Sequence, residues 1–161
     1  MTFQSGPDLR IIDFDITLTA PDKVVFGDTK EGAFAIRLAD ALTEKKSGKM
    51  TNAEGQTGMK SVWGHRSNWV DYAGTIDDEK LGIAILDHPS NPRHPTYWHS
   101  RDYGLFALNP FGQHSFDANA EESHWTLQAG QSLRFRWRVV IHSGDAQSAH
   151  VAEMFADFSK K

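Results

Sequence analysis

The chain has 161 residues, a formal net charge of −4 and no cysteine. That length suits one domain, which can bury roughly 70% of its unfolded surface without a covalent or metal staple. The missing thiols exclude thiolate zinc sites, cysteine nucleophiles and a disulfide scaffold; the mild acidity, with a sequence pI of about 6.0, argues against nucleic acid as the main partner.

No run approaches the ~18–20 apolar residues of a membrane span, so no membrane partner is expected. Met1 to Arg10 is polar and lacks the apolar core of a signal peptide. The expectation is a soluble protein with no address of its own, cytoplasmic by default.

Ile12, Phe14, Ile16 and Leu18 alternate with Asp13, Asp15, Thr17 and Thr19, the period of a half-buried strand that starts near residue 8. Pro21-Asp22 is a turn. Val24–Phe26 is a short strand, and Gly27 to Gly32 is a polar loop. Alternation resumes over Ala33–Leu38. Residues 40–60 are rich in Lys, Gly, Thr and Asn, the composition of a long, poorly ordered loop or weak hairpin. Trp69–Ala73 and Leu81–Leu86 are strands around a turn at Gly74–Glu79.

Four of the six prolines lie between 89 and 110. Proline removes a donor from the ladder, so 88–96 is expected to be irregular. Tyr103–Leu108 returns to strand, and Gln113–Glu122 is a polar loop. Leu133, Phe135, Trp137, Val139 and Ile141 then make the clearest strand. Arg134, Arg136 and Arg138 share its other face, either as a solvated exterior or as an anion-binding wall. Asp145 reads as an N-cap, and Val151, Met154, Phe155 and Phe158 form the stripe of an amphipathic helix. Many short strands and one terminal helix predict a single all-β domain over 1–161. It should be an antiparallel β-sandwich, of jelly-roll or half-supersandwich kind, with one C-terminal α-helix at about 146–159.

The chemistry-bearing residues crowd into three segments. His88, His94 and His99 fall within twelve residues, and neutral imidazoles are good ligands for a divalent metal. Their spacing matches no established metal motif, and the prolines prevent a helical pair. The same stretch carries Arg93, Trp98, Arg101 and Tyr103, and its prolines lower the entropy of presenting them. Glu31, in Asp28-Thr29-Lys30-Glu31, can act with His99 as general base and general acid if both face one cavity. In Trp63 to Tyr72, which also carries Asp71, Trp63 and Trp69 flank His65 and Arg66 and either form a stacking wall or leave Trp69 in the core with Tyr72 half buried. There is no phosphate-binding glycine loop and no nucleophile elbow.

The run Asp87-His88-Pro89-Ser90-Asn91-Pro92-Arg93-His94-Pro95-Thr96-Tyr97-Trp98-His99, continuing to Asn109-Pro110-Phe111-Gly112, resembles the signature of a bacterial family labelled "methane oxygenase PmoA"-like. Gly27 to Gly32 and Trp69-Val70-Asp71-Tyr72 add to the resemblance. It spans nearly the whole chain and corresponds to the C-terminal half of a typical member. The segment Leu127 to Leu133, with the strand to His142, is similar to galactose-mutarotase-like sandwiches. The oxygenase of that name is a membrane protein, and this chain has no span. What the resemblance implies is therefore a sugar-related β-sandwich.

The leading expectation is a carbohydrate-active or carbohydrate-binding sandwich, of hydrolase, lyase or epimerase type if catalytic. His99, His88, Glu31 and Asp71 would exchange protons. Trp98, Arg93, Arg101, Tyr103 and Trp69 would bind the sugar. The alternatives are a metal-dependent, oxidative enzyme using His88, His94 and His99, and a non-catalytic sugar-binding or assembly module. An exposed sheet edge or apolar face would be covered most simply by a second copy, so a homodimer is expected.

Overall fold

The alternating segments pair into antiparallel sheets in the computed structural model, which describes all of residues 1–161. The strands are β1 (Thr2–Ser5), β2 (Leu9–Thr19), β3 (Val24–Phe26), β4 (Phe34–Arg37), β5 (Lys49–Asn52) and β6 (Trp69–Ile76). They continue as β7 (Glu79–Asp87), β8 (Tyr97–Trp98), β9 (Leu105–Asn109), β10 (Trp125–Leu127) and β11 (Ser132–Ser143). Short helices α1 (Met59–Val62) and α2 (Gln113–Phe116) precede the C-terminal helix α3 (Val151–Phe158). The large sheet runs β1-β2-β11-β7-β6-β5; smaller sheets run β4-β9-β8 and β10-β3.

The period of two decides which side chains go where. Leu133, Phe135, Trp137 and Val139 of β11 join Val70, Tyr72 and Ile85 on the inner face of the large sheet. Phe34, Phe106, Leu108 and Leu127 of the smaller sheets pack onto them. Each such burial stabilises by about 1.5–3 kcal/mol before chain entropy is counted. This is the expected antiparallel sandwich. On the outer face, Trp69, Ala84, Leu86 and Val140 pack under Val151 and Phe158 of α3.

Several elements differ from the sequence reading. Residues 40–60 are not one open loop: they hold a 3-10 turn (Asp40–Leu42), edge strand β5 and the start of α1. Met50 is fully buried there, and the Glu44 carboxylate accepts from the Met50 and Met59 amides. The turn between β6 and β7 shrinks to Asp77-Asp78, both left-handed at φ 48° and 67°. Asp145 caps a turn rather than the helix, accepting from the Ser148 amide at 2.9 Å. The helix itself starts only at Val151, because His150 is left-handed at φ 56°.

The arginine face of β11 is solvated only at its Arg134 end, and its other arginines are partly or wholly buried rather than lining an anion wall. Arg138 is buried and forks onto Asp13 through Nε–Oδ1 (2.6 Å) and Nη2–Oδ2 (2.8 Å). Its guanidinium also lies 4.6 Å from the Phe158 ring centre. Arg134 pairs with Asp15 at the exposed end. The aspartates that alternate along β2 are therefore partners for the arginines that alternate along β11.

Candidate functional site

The three clustered histidines separate. Asp87, buried at the end of β7, accepts from Asn91 Nδ2 (2.7 Å), Trp137 Nε1 (3.2 Å) and His94 Nδ1 (2.8 Å). That network ties the proline-rich excursion to the large sheet. The Arg136 guanidinium donates to His88 Nε2 at 2.8 Å, and His88 Nδ1 lies 2.7 Å from the Ser90 hydroxyl. An arginine only donates, so His88 Nε2 carries no proton and the ring is neutral. Burial, followed by the charge of Arg136, pushes its pKa below the usual value. The Phe158 ring closes over it.

His99 stands elsewhere, buried beside the loop of residues 27–32. Its Nδ1 donates to the Lys30 carbonyl at 2.8 Å, which fixes the tautomer and leaves Nε2 as a lone-pair acceptor without a protein partner. Trp63 and Phe116 stand edge-on to its ring, 6.3 and 5.8 Å away between centres. The Arg101 guanidinium sits 4.7 Å over the Trp63 ring and forms no ion pair. Trp63 Nε1 is buried with no acceptor. Backbone bonds hold the segments together: Gly64 donates to Trp98, Trp98 to His65, and Thr29 to Phe111. The Asp28 carboxylate accepts from the His114, Ser115 and Ser123 amides, which fixes the loop carrying Phe116. Burial opposes ionisation of Asp28, but those hydrogen bonds outweigh it and hold its pKa below the usual value.

The proposed set His88, His94 and His99 is thus no ligand cluster. No group of three His, Asp or Glu side chains is arranged to hold a metal ion. Nδ1 of His94 is held by Asp87, both ring nitrogens of His88 are engaged by Arg136 and Ser90, and Nδ1 of His99 is held by the Lys30 carbonyl, so the three rings do not converge. Nor do the four proton-exchanging candidates share one cleft. Glu31 is exposed one residue beyond the carbonyl that holds His99, whereas His88 lies under α3 and Asp71 on the outer face of the large sheet.

Of the expected ligand-binding side chains, Trp98 is wholly buried, with Nε1 donating to the Ser67 carbonyl at 2.9 Å. It is core, and Trp69 is packed against the helix. Of the two tryptophans offered as a stacking wall, Trp63 is the one left partly exposed. Arg93 bonds the Pro110 carbonyl and lies 4.9 Å over Trp125, bracing the loop. Tyr103 is exposed, under Arg37 and Lys45 and outside the Trp63–Phe116–His99 aromatic group.

Asp71 has a partner far from it along the chain. Its Oδ1 meets His142 Nε2 at 2.9 Å, while His142 Nδ1 lies 3.1 Å from the Ser143 carbonyl. A carbonyl can only accept, so Nδ1 carries a proton, and the carboxylate facing Nε2 favours a second one there. Burial disfavours that charge, but the hydrogen bond and charge of Asp71 outweigh it and raise the pKa. A Cβ on Gly82 would collide with the imidazole, so glycine makes the space. Asp71 also lines a cavity of about 480 Å³ on the outer face of the large sheet.

Residues 1–156 match the model of a family of unknown function, DUF6807, and the chain belongs to that family. No curated protein and no solved structure matches it. The resemblance to a methane-oxygenase-like family and to mutarotase-like sandwiches is corrected by this finding: neither family is found, and the function of the matched family is unknown.

Proposed function

We propose that this member of a family of unknown function binds a small polyhydroxylated ligand of the carbohydrate class where Trp63, His99, Arg101 and the Lys30–Glu31 loop meet. His99 exchanges a proton with it. One observation carries the reading: His99 has its Nδ1 proton committed to a backbone carbonyl and its Nε2 lone pair unpartnered, beside a guanidinium that forms no ion pair. A fixed tautomer with a free nitrogen is how a histidine is prepared to act as a general base. Arg101 supplies donors for hydroxyl oxygens or a carboxylate, and the half-exposed Trp63 and Phe116 rings give apolar surface to the faces of a sugar. Glu31, the residue after the Lys30 carbonyl that holds His99, serves as the second proton-transfer group.

The test is a screen of mono- and oligosaccharides for turnover and for binding, run on the unaltered chain and on three variants. His99→Gln and Glu31→Gln should each lower turnover by about a hundredfold or more. Arg101→Ala should weaken binding about tenfold. Turnover left unchanged by both His99→Gln and Glu31→Gln removes the acid–base role. Saturable binding with no turnover reduces the reading to a non-catalytic sugar-binding module.

A further inference from the structure

We propose that the cavity on the outer face of the large sheet is a second binding site, for a small hydroxylated carboxylate of the sugar-acid class. Asp71 accepts a ligand hydroxyl, and Lys49 and Lys80 receive the ligand carboxylate. At about 480 Å³ the space falls in the size range of small-molecule sites. Of its lining residues only Ala73 and Ala146 are hydrophobic, so the complementary ligand is polar.

The floor of the cavity is built. Asp71 is 1% exposed, yet only its Oδ1 is engaged, by His142; Oδ2 has no protein donor and is not among the sealed-off polar atoms. A buried carboxylate oxygen without a donor is costly unless a ligand or solvent supplies one. Strand order places Asp71 on β6 between the two lysine-bearing strands, β5 and β7. Lys49 is in register with Ala73 and Lys80 with Thr75, so both ammonium groups stand to the same side of Asp71 along the strand. Ala73 and Gly74, with little or no side chain, line the surface between them.

Charge selects the ligand. The Asp71 carboxylate is already answered by His142, and Asp145 is occupied by the amide and hydroxyl of Ser148. Lys49 and Lys80 form no direct ion pair; Asp145 answers Lys80 only at longer range, so the two ammonium groups outnumber the one lining carboxylate not already paired with a histidine. A bare anion would satisfy the lysines but repel Asp71 Oδ2, which needs a donor. A neutral sugar would satisfy Asp71 and leave the lysines idle. A molecule bearing both a hydroxyl and a carboxylate answers both. The site shares no residue with the His99 region, so the two proposals stand or fall separately.

Calorimetric titration and amide chemical shifts, with galacturonate, glucuronate and gluconate against galactose, test the assignment. At least one of the acids should bind and shift the amides of Ala73, Gly74 and Gly144, with galactose at least about tenfold weaker. The double variant Lys49→Gln, Lys80→Gln, altered only at exposed positions, should lose about tenfold in acid affinity with an unchanged Tm. His99→Gln should leave the binding intact. No shift at those amides with any of the three acids overturns the proposal, as does equal affinity in the lysine double variant.

Discussion

At the scale of single residues, two buried histidines are set to opposite charge states by what faces them. His142 has a pKa raised above 6.5, because Asp71 outweighs burial; His88 has one lowered below 6.5, by burial and then by Arg136. A raised value in the folded state means folding takes up a proton. The contribution of His142 is therefore full below its unfolded value and is lost as pH rises through the raised one. The contribution of His88 is full above 6.5 and is lost as pH falls through the lowered one. Urea unfolding from about pH 5 to 9 should show stability falling at both ends. His142→Gln should remove the alkaline loss, and His88→Gln the loss just below neutrality. Acid-side losses from carboxylates such as Asp28 belong lower, below 3.8, because its pKa is depressed. An unaltered chain with flat stability across that range would refute both assignments. None of this was legible in the sequence, which displays residue types but not partners. Asp71 and His142 lie 71 positions apart, and the imidazole that looked like the end of an alternating strand is its most specific polar contact.

At the scale of elements, what could be read was what alternation and helical spacing encode. β2, β6, β7 and β11 each carry a long half-buried pattern, and each appeared close to its expected place. β1 was invisible because all four of its residues are exposed; it exists through pairing with Thr2 against Asp13 and Ser5 against Arg10. β5 was hidden by its lysine and threonine, which face the outer cavity while Met50 turns inward. The hairpin between β6 and β7 gives this scale its prediction. Asp77 and Asp78 both take a left-handed conformation, as the tight two-residue turn requires. A side chain there costs about 1–2 kcal/mol, partly offset for aspartate by local hydrogen bonding. Asp78→Gly should stabilise the fold by up to about 1 kcal/mol, after the extra freedom of glycine in the unfolded chain is subtracted. A fall in Tm would mean that the Asp78 side chain makes a contribution larger than the relief of strain.

At the scale of the whole molecule, the two faces of the large sheet are covered unequally. The outer face is capped by α3 and hollowed beside it. The inner face outruns the smaller sheets at its β1–β2 edge. Phe3 is 69% exposed there, Leu18 43% and Ile16 36%, on the same face as the buried Phe135 and Val139. β1 also has one side of its backbone unpaired, since it ends the strand order. An apolar stripe beside an open strand edge is the surface that monomeric proteins avoid presenting. We infer that a second copy covers it, because edge-to-edge pairing satisfies the free backbone groups and buries the stripe in one step. Light scattering at micromolar concentration should give a homodimer. Phe3→Asp with Leu18→Lys should give a monomer whose circular dichroism is unchanged, since both side chains lie outside the core. A monomer for the unaltered chain contradicts the inference. A dimer that survives both substitutions moves the interface to another surface.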